Sequence, residues 1–218
     1  MLSKYHAIHC IHALDATTAF LGGFKNLDVT YLAMEPDEES IEACIAHLKN
    51  IVSGSLIVFL GHGSSTGLYS PSTDFFPRRT IINDTVANKF FKGNDILLLS
   101  CKSAEFSKQL HTYNQVIGFG NILSSYHEVV GEAEHSGRFR DVDDTDIEYF
   151  NHCYATAIIH SLQLTISGRK KFEDLPRLIA YFVNKEINSV LRQKEKRNRI
   201  EVARLLFEFR NEMVYKRN

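Results

Sequence analysis

Two residues that could carry out covalent catalysis follow two consecutive apolar segments of the sequence. His62 lies just beyond the apolar residues 55–60, and Cys101 lies directly beyond the apolar residues 95–100. A cysteine thiolate is a strong nucleophile, and a nearby imidazole can increase its population and protonate a leaving group. Each residue alone has a simpler interpretation, a histidine in a glycine turn and a small buried thiol. Their matched positions favour a catalytic pair, with Cys101 as nucleophile and His62 as general acid and base.

Acyl transfer also needs hydrogen-bond donors for the negative charge that develops on the carbonyl oxygen. Gly63 has no side chain that would keep a peptide carbonyl away from its N–H, so it is one candidate donor. The backbone N–H of Cys101 is the second candidate. Ser103 has the side chain of a helix N-cap, so we expect a helix to begin there and its terminal field to favour the thiolate form of Cys101.

The apolar segments predict the sheet that must position these residues. Five short runs are apolar without polar alternation, which is typical of strands buried on both faces of a parallel sheet. These predicted strands are residues 6–14, 27–34, 55–60, 95–100 and 115–119. Helical patterns follow at residues 38–50, 84–91, 103–113 and 145–164. Strands that alternate with helices predict an α/β fold, a three-layer sandwich with a mostly parallel central sheet.

The rest of the chain predicts one domain with a helical end. Neighbouring parallel strands lie about 5 Å apart, so side chains just past two adjacent strands can converge on one substrate bond. Residues 120–144 are polar and lack a clear period, which predicts a long loop. Residues 175–218 predict a helical C-terminal extension of one or two helices. No boundary or repeat divides residues 1–218, so we expect a single domain.

Composition excludes several classes of protein. The chain has 218 residues and a net charge of -1, which implies no bulk attraction to nucleic acid or to a membrane. Its four cysteines are too few for a disulfide scaffold in a chain of this length. The N-terminal residues lack a signal-peptide pattern, and no apolar run is long enough to span a bilayer. We therefore expect a cytoplasmic protein with reduced thiols and no cofactor.

Metal-ligating side chains crowd the first predicted strand, at His6, His9, Cys10 and His12. A zinc site needs about four converging ligands. Along a strand His9 faces away from the other three residues. The sequence has no second cluster with metal-ligand spacing, so we expect no metal site.

The two catalytic motifs resemble those of the caspase-like cysteine peptidases, a group that includes caspases, metacaspases, separase and gingipains. In that group one hydrophobic strand ends in His-Gly, as at His62-Gly63, and a second ends in a small residue and Cys, as at Ser100-Cys101. The second motif is most similar in style to that of bacterial CHAT-domain proteases. The resemblance spans residues 5–165 and implies a caspase-like fold and a cysteine endopeptidase acting on protein substrates. It also implies a role in bacterial antiviral defence or regulated death.

The resemblance also suggests where a substrate side chain could bind. Relatives that cut after Arg or Lys carry acidic residues in the pocket for that side chain, one of them near the end of the first strand. Asp15 falls near that place, and Asp143 and Asp144 are further candidate substrate-binding residues. Helix starts offer another interpretation of all three, because Asp is common at N-caps and in first turns.

Other functions remain open at this point. The same fold could be catalytically silent and act as a protein-binding or scaffold module. A hydrolase that uses another residue is disfavoured, because the Gly-x-Ser-x-Gly elbow of one common class is missing. Residues 192–217 mix Lys and Arg with Glu along an apolar stripe. That pattern favours a helix whose charged face is exposed to solvent. The second interpretation is a helix that docks an activating or regulatory protein, and the third is nucleic-acid binding.

Overall fold

A six-stranded sheet forms the centre of the protein. The structure is a computed structural model that describes residues 5–218. Numbered along the chain, its strands are β1 (Ile8–Ala13), β2 (Thr30–Met34), β3 (Leu56–Leu60), β4 (Gly63–Ser64), β5 (Gly67–Tyr69), β6 (Thr80–Asn83), β7 (Asp95–Leu99), β8 (Gln115–Gly118) and β9 (Val214–Arg217). The central sheet has the order β2-β1-β3-β7-β8-β9. Its first five strands are parallel, and β9 pairs antiparallel with β8 at one edge.

Helices cover both faces of this sheet. They are α1 (Glu38–Lys49), α2 (Asp84–Phe90), α3 (Ser103–Phe106), α4 (Tyr126–Ser136), α5 (Asp144–Ile166), α6 (Leu175–Arg192) and α7 (Arg199–Asn211), with 3-10 turns at Ala19–Asn26, Ser107–Gln109 and Phe172–Asp174. No helix within residues 5–218 is long and apolar enough to cross a bilayer.

Successive residues of the central strands enter two separate apolar cores. Val58 and Leu97 belong to the core that α5, α6 and α7 complete. Phe59 and Leu98 belong to the core that α1, α2 and α3 complete. Every residue of β3 and β7 is buried, which explains why these segments are apolar without alternation. The structure confirms the predicted α/β fold with a mostly parallel central sheet, and helices on both faces agree with a three-layer sandwich.

The prediction of an irregular loop over residues 120–144 was wrong, because α4 lies within it. Ser125 accepts a hydrogen bond from the N–H of Glu128, and the Glu128 side chain reaches back to the N-cap backbone, which makes a capping box. Gly137 ends the helix in the left-handed conformation with φ 73°. Both signals are present in the sequence, but the weak apolar stripe of this helix concealed them.

The C-terminal residues are only partly helical, contrary to the prediction of helix up to the chain end. Two helices, α6 and α7, are followed by β9, which completes the sheet. Val190, Leu206 and Phe209 lie in the same core as the central strands. Residues 175–218 therefore share one core with residues 5–174.

Two further differences bear on the site. The helix predicted at residues 103–113 is a single α-turn, α3, followed by a 3-10 turn. A small antiparallel sheet of order β4-β5-β6, which the sequence analysis missed, follows β3 directly. It begins at Gly63, the residue that follows His62.

Candidate active site

His62 and Cys101 emerge from neighbouring parallel strands in matching register. Leu60 of β3 pairs with Leu99 of β7, and each predicted catalytic residue lies two positions beyond its paired leucine. The N–H of Gly61 still donates to the carbonyl of Leu99 at 3.1 Å, so the two chains remain together past the strand ends. The structure thus brings the predicted pair to one edge of the sheet.

Close backbone packing then joins the two loops. A Cβ added to Gly63 would lie 2.8 Å from Oγ of Ser100 and 3.3 Å from the carbonyl oxygen of Cys101. The first distance is shorter than a Cβ can have and the second is tight, so a larger residue at position 63 would push against the Cys101 loop. His62 and Cys101 line one narrow cleft of about 20 Å³, which is room for a single water molecule.

Asp15 holds the imidazole of His62 from the end of β1. Its carboxylate lies 3.0 Å from Nε2 through Oδ2 and 3.3 Å through Oδ1. Thr17 adds a third contact, with Oγ1 2.9 Å from the same nitrogen. His62 and Asp15 are both 8 % exposed, so this contact is shielded from water. The sequence analysis did not foresee this role, since Asp15 was considered only for a substrate pocket or a helix cap.

The hydrogen-bond network assigns the His62 tautomer. Thr17 Oγ1 donates its hydrogen to Asp15 Oδ1 at 2.7 Å, and the Asp15 carboxylate can only accept. Nε2 of His62 must therefore carry the hydrogen that it shares with these acceptors. Within residues 5–218, every hydrogen bond of the ring is made through Nε2. Nδ1 is therefore the ring nitrogen that has no hydrogen-bond partner in this range.

Asp15 is stabilised in its charged form. Burial by itself raises the pKa of this carboxyl, but hydrogen bonds from His62, Thr17 and the Ser72 N–H lower it by more. The pKa of Asp15 therefore lies well below its usual range, and the carboxylate stays ionised beside the imidazole.

Cys101 is a protonated thiol in this conformation. Burial, together with the nearby carboxylate of Glu128, raises the pKa of Cys101 to about 11. Its Sγ donates to the carbonyl oxygen of Ile122 at 3.0 Å. The predicted stabilisation of a thiolate by a helix terminus was wrong, because α3 has only four residues. The side chain of Ser103 does not cap that turn and donates instead to the carbonyls of Leu98 and Ser100.

The residue after Cys101 makes the sharp turn that presents the thiol. Lys102 has φ 54°, a left-handed conformation that costs a residue other than glycine about 1 kcal/mol or more. Its N–H donates to the carbonyl of Gly120 at 2.7 Å, which holds the turn. Strained backbone of this kind is often found at functional sites.

Both predicted oxyanion donors are available. The N–H of Tyr69 donates to the carbonyl of His62 at 3.0 Å, which makes Gly63 and Leu68 a non-hydrogen-bonded pair of the small sheet. The N–H of Gly63 therefore points away from β5. The N–H of Cys101 donates to no acceptor among residues 5–218. Oγ of Ser100, which the sequence analysis did not consider, is buried at the same place without a partner in that range.

The three predicted substrate-binding aspartates lie in different parts of the structure. The carboxylate of Asp15 is hydrogen-bonded to His62, as described above. Asp143 is the N-cap of α5 and accepts from the N–H of Asp146 at 3.0 Å and from the hydroxyl of Thr145 at 2.7 Å. Of the three, Asp144 alone lines an open cleft of about 420 Å³, which shares Phe20 and Ser124 with the narrow cleft of His62 and Cys101.

The histidines of the first strand have other partners. Nδ1 of His9 lies 3.0 Å from Nε2 of His47 on α1. His12 contacts the hydroxyl of Tyr31 at 2.7 Å through Nδ1 and the carbonyl of Thr18 at 3.0 Å through Nε2. In residues 5–218 no three His, Cys, Asp or Glu side chains are grouped so that they could hold a metal ion.

Comparison with known proteins adds no relative to these observations. No protein-family model matches the chain, and no curated protein matches it. The resemblance to caspase-like peptidases therefore rests on the motifs at His62 and Cys101.

Proposed function

We propose that this protein is a cysteine endopeptidase that cleaves protein substrates through an acyl-enzyme at Cys101. The observation that carries the proposal is that Cys101 and His62 line one cleft, while the buried Asp15 carboxylate lies 3.0 Å from Nε2 of that histidine. A nucleophile, a base and a group that orients the base are the parts of thiol and serine hydrolases. The four cysteines are free, which suits the reducing cytoplasm.

The proposed reaction has two stages. Nδ1 of His62 takes the thiol proton as Sγ of Cys101 attacks the carbonyl carbon of the substrate. The N–H groups of Gly63 and Cys101 stabilise the resulting oxyanion. When the C–N bond breaks, His62 gives its proton to the departing amine and a thioester remains. Water then transfers a proton to His62 and its hydroxyl to the thioester, and the sulfur leaves and recovers its proton.

Proteolysis by matched variants tests this proposal. Purified protein would be incubated with a peptide library and with a peptidyl electrophile that labels active thiols. We expect that the natural protein cleaves peptides and is labelled, and that Cys101→Ala does neither. Cys44→Ala, which removes a buried thiol on α1, should behave like the natural protein. Equal proteolysis by Cys101→Ala, or equal labelling of that variant, would overturn the proposal.

One observation favours a second candidate function, a catalytically silent scaffold. The thiol of Cys101 donates to the Ile122 carbonyl, and its cleft has room for only one water. The thiol must give up this hydrogen bond before its sulfur can attack a substrate carbonyl. If peptidyl electrophiles never label Cys101 while the folded protein captures a partner through α6 or α7, the scaffold function replaces the peptidase.

A further inference from the structure

A buried histidine near the candidate active site has no part in the chemistry proposed above. His12 lies in β1 between Ile11 and Ala13, and its side chain is fully buried. It lines neither the narrow cleft of His62 and Cys101 nor the larger cleft beside it. An apolar residue would fill a buried strand position at lower cost, because a buried imidazole needs a partner for each nitrogen. The two partners of His12 therefore indicate what its ring does.

The hydrogen bonds of His12 join β2 to the turn that follows β1. Its Nε2 lies 3.0 Å from the carbonyl oxygen of Thr18, which can only accept, so this nitrogen carries a hydrogen. Burial lowers the pKa of His12 to about 4, so the ring is neutral at physiological pH. Nδ1 of the neutral ring then accepts from the hydroxyl of Tyr31 at 2.7 Å. The ring is thus a donor that is held from β2 and directed at the turn.

The turn that His12 reaches carries the side chains that contact the imidazole of His62. Asp15 and Thr17 approach Nε2 of His62 to 3.0 and 2.9 Å. Hydrogen bonds inside the turn fix its shape: the N–H of Asp15 donates to the hydroxyl of Thr18, and the N–H of Thr17 donates to Oδ1 of Asp15, each at 2.9 Å. These bonds move with the turn, so they do not fix its orientation relative to the sheet.

Thr18 ties this turn to the central sheet. Its hydroxyl donates to the carbonyl of Ala13, the last residue of β1, at 2.8 Å, and its own carbonyl accepts from His12. The N–H of Leu21 also donates to that carbonyl at 2.9 Å, but Leu21 belongs to the 3-10 turn that follows directly. His12 thus supplies a contact between the turn and the sheet, and Tyr31 holds His12 from the neighbouring strand.

We infer that His12 is a positioning residue, which holds the turn so that Asp15 and Thr17 both meet Nε2 of His62. A displacement of about 1 Å at a reacting group can lower a rate about 100-fold, so the placement of this turn matters to the proposed reaction. The effect of His12 on cleavage rests on the proposed peptidase function. Its effect on the hydrogen carried by His62 does not, so the two effects can be measured separately.

Nitrogen-15 NMR of the histidine rings tests the positioning without any substrate. The signals of His62 are identified by their loss in His62→Gln, and the neutral ring of the natural protein should carry its hydrogen on Nε2. His12→Phe keeps a ring and removes both hydrogen bonds, so we expect the His62 signals to shift toward those of Asp15→Asn, in which that acceptor is altered. His12→Gln keeps an N–H donor on a side chain that can reach the same carbonyl, and it should restore the natural signals.

His9→Phe is the matched control for this experiment. His9 lies on the same strand and is 8 % exposed, but its Nδ1 contacts His47 on α1, so the His62 signals should not move. Unchanged His62 signals in folded His12→Phe, an equal shift in His9→Phe, or no restoration by His12→Gln would each overturn the inference. If His12→Phe does not fold, Tyr31→Phe removes one of the two bonds at a half-buried position, and unmoved His62 signals there would overturn it.

Peptide hydrolysis by the same variants adds a readout that depends on the proposed function. We expect His12→Phe to lower kcat about 10- to 100-fold and to leave KM nearly unchanged, since His12 lines neither cleft. An unchanged kcat, with or without a raised KM, would overturn the role of His12 in the reaction. If the natural protein cleaves no peptide while His12→Phe shows the expected NMR shift, the peptidase function fails and the positioning by His12 stands.

Discussion

Replacing Asp15 by asparagine should disable His62 while leaving the fold intact. Oδ2 of Asp15 accepts from the Ser72 N–H at 3.1 Å and shares the hydrogen on Nε2 of His62 at 3.0 Å. Oδ1 accepts from the N–H of Thr17 at 2.9 Å and from its hydroxyl at 2.7 Å. Asparagine keeps one acceptor, so its NH₂ group replaces one of the two carboxylate oxygens, and in place of Oδ2 it faces the donors described there. His62 can then avoid a donor–donor contact only by moving its hydrogen to Nδ1, where it blocks the uptake of the thiol proton.

The size of the effect follows from the lost contacts. A hydrogen bond to a charged group contributes about 1.5–3 kcal/mol. The same free energy on the transition state corresponds to a decrease in kcat/KM of about 10- to 150-fold. We expect Asp15→Asn to lose at least this much peptidase activity, and to lose a similar free energy of unfolding at neutral pH. Asp143→Asn should change neither, because asparagine is an equally good N-cap.

The pH dependence supplies a second readout for this substitution. The pKa of Asp15 is lowered in the folded protein, so its contribution to stability is complete above the unfolded value of about 3.9 and is lost as the pH falls through the folded pKa. Urea denaturation at pH 7 and pH 3 should therefore show a smaller difference between natural protein and variant at pH 3. Unchanged kcat/KM, or an equal stability difference at both pH values, would refute the role assigned to Asp15.

Four other predictions follow from named contacts. Gly63→Ala should lower the free energy of unfolding by about 1–3 kcal/mol and abolish peptide hydrolysis, because its Cβ would collide with the cysteine loop. Gly22→Ala, whose Cβ meets nothing within 4 Å, should leave hydrolysis unchanged, and equal effects of the two would contradict the packing argument. Ser125→Ala removes a capping box and should lower the free energy of unfolding, measured by urea denaturation, by about 1 kcal/mol. An unaltered denaturation midpoint would count against the capping role of Ser125 in α4. Phe209→Ala removes a ring that stacks on Phe119 and Tyr154, and should lower the free energy of unfolding by about 3–5 kcal/mol. A decrease below about 1 kcal/mol would mean that α7 does not pack in the core. Alkylation of Cys101 by iodoacetamide should accelerate about tenfold per pH unit from pH 7 to 9, since its pKa is raised to about 11; a plateau near neutral pH would show a thiolate instead.

The sequence was sufficient to predict the five parallel strands of the central sheet and the position of His62 and Cys101 at one edge of it. Buried parallel strands are apolar on both faces, so residues 55–60 and 95–100 were recognisable without any tertiary information. Parallel strands also end at one edge of a sheet, which places His62 and Cys101 together once β3 and β7 are neighbours. These inferences needed only local pattern and the geometry of parallel pairing.

The features that the sequence analysis missed depend on contacts between distant segments. Asp15 meets His62 across 47 positions of the chain, and nothing local distinguishes a carboxylate that orients a histidine from one that caps a turn. The strand β9 is short and follows a charged helix, so only its pairing with β8 reveals it. The raised pKa of Cys101 comes first from burial and then from the carboxylate of Glu128, a residue distant in the sequence, which no property of the motif itself indicates.

Leu60 of β3 pairs with Leu99 of β7, and Cys101 lies two positions beyond that pair. The reactivity of the Cys101 thiol can therefore report whether these two central strands are correctly aligned. A shift of β7 by one position relative to β3 would turn its side chains to the opposite layer. The overall helix and strand content would hardly change, so circular dichroism could not detect the error. Reaction of Cys101 with a peptidyl electrophile would detect it under the proposed function, because Cys101 and His62 line the same cleft in only one of the two alignments.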